Sequence, residues 1–77
     1  MRHVYLLANL RQHALAEKLA VSVRRYVDGR EDIVGHPRIF ARAGRVNIEG
    51  IPPGIAKELQ EWCADELERF RSTSILR

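Results

Sequence analysis

Cysteine occurs once in these 77 residues, at Cys63, so no disulfide within the chain can cross-link the fold. The three histidines, His3, His13 and His36, fall in separate segments with no H-x-x-x-H or comparable spacing, so no zinc pattern is present. A core of this size therefore stands without staples, although it removes only about 60% of the unfolded chain's surface from water. Long apolar runs are missing too. The best candidate, Val4 to Leu10, is interrupted by Asn9 and followed by Arg11 and His13, which makes it too short and too polar for a membrane span or a signal peptide. A cytoplasmic protein with no membrane partner is expected. There is no glycine-rich phosphate loop, no repeat and no low-complexity linker, so one domain is expected over 1–71, with 72–77 as a frayed tail. No cofactor is expected.

What remains divides by hydrophobic period. "HVYLLA" is a short apolar run rich in strand formers, and it ends at Asn9, where "NLRQ" offers a helix N-cap with glutamine at the third helical position. A strand followed by a helix from Leu10 accounts for this, with a longer helix over residues 3–8 as the alternative. At 100° per residue Leu15, Ala16, Leu19, Ala20, Val23, Tyr26 and Val27 share one arc, while Arg11, Lys18 and Arg25 stack along the other side. "DGRED" stops the helix. Beyond Gly35 and Pro37, two short runs flank Ala43-Gly44 as a β-hairpin. "GIPPG" then breaks the second run, and Pro52 and Pro53 suit the first turn of another helix. Along that helix Ile55, Leu59, Trp62, Cys63, Leu67 and Phe70 form a broad apolar arc. The order β-α-β-β-α defines a small α+β domain that resembles a split-βαβ, ferredoxin-like unit lacking its last strand. That likeness is architectural and implies no function, since such frames carry many.

The hairpin, "RIFARAGRVNIEG", raises the functional question. With a two-residue loop at Ala43-Gly44, Arg42 faces Arg45, Phe40 faces Asn47 and Arg38 faces Glu49, so one face is apolar and the other carries three arginines around an aromatic ring. Like charges directly opposite one another cost on the order of a few tenths of a kcal/mol, and an outward aromatic gives up burial. Both fit a surface that stacks on a base and grips phosphates. A three-residue loop with Gly44 left-handed would instead turn Phe40 into the core beside Val46 and Ile48, and leave ordinary edge arginines that discourage aggregation. The helix stripe Arg11, Lys18, Arg25 spans about 21 Å at ~1.5 Å per residue and could follow a phosphate backbone, or be a solvated face near Glu17.

Other chemistry is thin. Glu66 falls within the apolar arc of the second helix, which calls for an arginine partner from the first helix or the sheet, or marks where the core ends. No second acid or base is spaced with it, and Cys63 on the same arc reads as a small core residue, so no catalytic residue is assigned and a non-enzyme is expected. Thirteen Lys and Arg against 10 Asp and Glu leave a net charge of +3, a bias toward polyanions. The sequence thus points to a small basic nucleic-acid-binding accessory or regulatory protein using Arg38, Phe40, Arg42 and Arg45, with Arg11, Lys18 and Arg25. The alternative is a protein-protein interaction module or small subunit with no nucleic-acid role. In a three-stranded sheet with the third strand central, the first strand is a bare edge, so a homodimer through Val4, Tyr5, Leu6, Leu7 and Ala8 is expected.

Overall fold

The computed structural model describes residues 3 to 75, with side chains through Phe70. Five elements follow one another: β1 (Val4–Asn9), α1 (His13–Asp28), β2 (Arg38–Arg42), β3 (Arg45–Glu49) and α2 (Pro53–Ile75). They form a small α+β domain of two helices and a three-stranded antiparallel sheet, in which β3 lies between β1 and β2. Strands β1 and β2 therefore run parallel to each other on either side of β3, connected through α1.

Both helices cover the same face of the sheet, α1 lying over β2 and β3 and α2 over β1. The arc read from the 3.6-residue period is what α1 buries: Ala16, Leu19, Val23 and Val27 reach the core. From the sheet come Leu7, Val46 and Ile48, and from α2 come Leu59 and Cys63. Leu19, Val23, Val46, Ile48, Leu59 and Cys63 are fully buried. Removing each of the larger aliphatic side chains from water contributes about 1.5–3 kcal/mol, and the partly buried Tyr26, Trp62, Leu67 and Phe70 packed against them add to it.

Three boundaries differ from the sequence pattern. The first helix begins at His13, not Leu10, because β1 runs on to Asn9, which pairs with Arg45 of β3. The next N–H, that of Leu10, donates to the carbonyl of Gly44 at 2.8 Å, and Arg11 takes a positive φ of 58°. Asn9 is thus a strand residue, and the N-cap position falls to Gln12, whose side chain makes no capping bond. The alternative of a longer helix over residues 3–8 is overturned by the same pairing. At the other end, α2 continues to Ile75, so the segment assigned to a frayed tail is helical over its first four residues. Residues 76 and 77 lie outside the described residues.

Candidate functional site

Strand alternation puts Arg38, Phe40 and Arg42 of β2 and Arg45, Asn47 and Glu49 of β3 on the face of the sheet away from the helices. The hairpin adopts the two-residue loop, with Arg42 opposite Arg45, Ala41 opposite Val46, Phe40 opposite Asn47, Ile39 opposite Ile48 and Arg38 opposite Glu49. Both loop residues have positive φ, 53° at Ala43 and 75° at Gly44, as a type I′ turn requires. The three-residue loop that would have buried Phe40 does not form. Val46 and Ile48 fill the core face without it, and Phe40 stays half-buried on the outer face.

The tip gains a third arginine from outside the hairpin. Asn9 pairs with Arg45, and the chain then crosses the turn so closely that a Cβ on Gly44 would stand 3.0–3.2 Å from the backbone N, Cα and C of Arg11. Only a glycine accommodates that approach together with the left-handed φ. Arg11, Arg42 and Arg45 thereby meet at one end of the molecule, all exposed, and none is ion-paired to an acidic side chain among the described residues. Arg38, at the far end of the same face, stands 3.8 Å from Glu49, and its guanidinium lies 5.9 Å from the centre of the Phe40 ring. An open depression of about 410 Å³ lined by Arg38, Phe40, Ala41, Arg42 and Glu49 runs along β2.

The stripe predicted along the first helix is broken up. Arg11 precedes α1 and belongs to the hairpin tip, whereas Lys18 and Arg25 sit on α1, behind the sheet. The Lys18 ammonium lies 5.0 Å from the centre of the Phe70 ring of α2, and Arg25 is exposed. These two cations do not share a face with the hairpin arginines.

Arg30, in the DGRED segment that stops the first helix, is the most engaged cation. Its guanidinium donates to Asp32 at 2.7 Å, to the Tyr26 hydroxyl at 2.9 Å and to Glu58 of α2. It also lies 5.5 Å from the Tyr26 ring centre, and Tyr26 in turn stacks on Trp62 at 4.5 Å and 14°. Hydrogen bonds to Asp32, Glu58 and Tyr26 push the Arg30 pKa up, and the bond from Arg30 holds the Asp32 carboxyl below its usual value. This ladder ties the end of α1 to α2 and engages four of the five N–H donors of Arg30. Arg24, beside a cavity of about 200 Å³ at the same end, is likewise engaged, with Asp28 at 3.6 Å and the Pro37 carbonyl at 3.4 Å.

Glu66 finds its partner on its own helix. Arg69 lies 3.3 Å away, so neither α1 nor the sheet supplies the arginine. Burial, helped by the negative charge of Glu66, pushes the Cys63 thiol up to about 12, the opposite of what a nucleophilic cysteine needs. No three of His, Cys, Asp and Glu come together as metal ligands among the described residues, and no described helix is long and apolar enough to cross a membrane.

Strand β1 is an edge, paired among the described residues only with β3. Tyr5, Leu7 and Ala8 pack inward, while Val4 and Leu6 stand on the outer face, 51% and 46% exposed. Two features blunt the edge: a bulge between Leu6 and Ala8, and Gln60 of α2, whose amide donates to the Leu6 carbonyl at 2.9 Å. Compared with protein-family models, with curated protein sequences and with solved structures, the chain matches none.

Proposed function

We propose that this chain is a small, non-catalytic nucleic-acid-binding protein of accessory or regulatory type that grips phosphates at the hairpin tip. One observation carries the reading: Arg42 and Arg45 face each other, Arg11 is locked beside them by the Gly44 approach, and none is ion-paired to an acidic side chain among the described residues. Three uncompensated guanidinium groups at one end repel one another, and a bound anion removes that penalty while accepting their fork-shaped donors. Solubility alone does not account for the arrangement, because it needs no third arginine at the same spot. In this reading the frame that presents the tip is a ferredoxin-like split-βαβ unit without its last strand, and the protein acts in the cytoplasm.

Binding to a panel of single- and double-stranded DNA and RNA, titrated at low and moderate salt, tests the proposal. Removing two phosphate contacts with Arg42→Ala and Arg45→Ala should weaken binding and lower the slope of log affinity against log salt by nearly two for duplex DNA. Affinity and slope unchanged in the double variant, with the fold intact, overturn it.

A second reading, self-association through β1, rests on the exposure of Val4 and Leu6 on an edge strand. It stands behind the first because the bulge and Gln60 already interrupt that edge.

A further inference from the structure

Resting on the phosphate-gripping tip, we infer that the nucleic acid is single-stranded, with one base seated on Phe40 and its hydrogen-bonding edge against Asn47. No described helix covers the outer face of the sheet, and its middle row runs Leu6, Asn47, Phe40 from edge to edge. An aromatic side chain placed there forgoes the core, although the core face of the same strand takes Ile39 and Ala41. Phe40 has cationic neighbours on both sides along its strand: Arg38 lies against its ring, and Arg42 is two residues on, about 7 Å away at ~3.4 Å per residue. That backbone step between the two positions is on the scale of one nucleotide, base to adjoining phosphate. A strand entering over Arg42, Arg45 and Arg11 therefore has a π-surface at the position of its next base.

Asn47 supplies what a stacked base lacks. It sits directly opposite Phe40, and its amide makes no side-chain hydrogen bond with another described residue. An amide offers both donors and an acceptor, so it can pair with the edge of a base lying on the neighbouring ring. A duplex satisfies neither group, since its bases are stacked on one another and their pairing edges are occupied.

Fluorescence anisotropy with short labelled RNA and DNA strands, the corresponding duplexes and inorganic polyphosphate separates the two levels of the proposal. Wild-type protein should favour single strands over duplexes, and Phe40→Leu should weaken single-strand binding by about 5- to 100-fold while leaving polyphosphate binding unchanged. Phe40→Trp should preserve it, which controls for damage to the sheet. Asn47→Ala should flatten any preference among homopolymer strands. Comparing RNA with DNA strands shows whether the ribose hydroxyl is also read. Equal affinity for duplexes and single strands, or Phe40→Leu binding strands like wild type, overturns the single-strand inference and leaves the phosphate-gripping tip in place. Failure of the wild type to bind polyphosphate and every nucleic acid overturns both.

Discussion

Gly44→Ala is the substitution whose consequence the structure sets most tightly. At φ 75° an alanine pays the left-handed penalty of about 1–2 kcal/mol. Its methyl group would also press within 3.0–3.2 Å of three backbone atoms of Arg11, which cannot rotate aside as a side chain would, and such overpacking adds about 1 kcal/mol. Against this, the reduced freedom of the unfolded chain returns about 0.4–1 kcal/mol. The net expectation is a loss of about 1–3 kcal/mol, a large share of the stability available to so small a domain. With a urea dependence of about 1 kcal/mol per molar for a chain of this size, the unfolding midpoint should fall by ~1–3 M. Fluorescence of the single tryptophan, Trp62, stacked on Tyr26 across the two helices, reports the transition. The neighbouring position gives the opposite sign: Ala43 already carries φ 53°, so Ala43→Gly relieves the strain and should leave stability unchanged or raise it by up to about 1 kcal/mol. Because Leu10 and Arg11 are held by this turn, Gly44→Ala should also weaken anion binding at the tip. A Gly44→Ala protein that unfolds at the wild-type midpoint, or an Ala43→Gly protein that unfolds earlier, would refute both the turn type and the close approach.

Cys63 should resist iodoacetamide in the native protein and react readily in urea, because burial holds its thiol neutral up to about 12. The unfolded thiol ionises near 9, so between 9 and 12 only the unfolded state sheds this proton, and stability measured by urea titration should decline across that window; fast native labelling or flat stability would contradict the buried assignment. If β1 pairs two copies, sedimentation at high micromolar concentration should show a dimer that Leu6→Pro shifts toward monomer, since proline removes a backbone donor from the edge strand. A monomeric wild type ends that reading.

Local physics made much of the fold legible in the chain. The 3.6-residue spacing from Leu15 to Val27 marked the buried arc of α1, and the period-two pattern around Ala43-Gly44 marked the hairpin, because both depend on neighbours a few residues apart. Pro52 and Pro53 likewise mark the start of α2, where a missing N–H costs nothing. The hairpin register was only half legible: alternation allowed Phe40 on either face, and the choice fell to the two-residue turn, in which Val46 and Ile48 of β3 and Ile39 and Ala41 of β2 take the core side.

Everything that required a partner distant in sequence waited for the tertiary structure. Asn9 and Gln12 read as a helix start, but pairing of Asn9 with Arg45 and of Leu10 with Gly44 held three more residues out of the helix. The same contacts took Arg11 from a helical stripe and set it at the hairpin tip, while α1 carried Lys18 and Arg25 behind the sheet. Arg30 looked like solvated loop charge until Tyr26, Asp32 and Glu58 converged on it. Periodicity ranks each residue by which side of its own element it occupies. Which charges then meet is decided by how those elements pack, and a one-dimensional pattern holds no record of that.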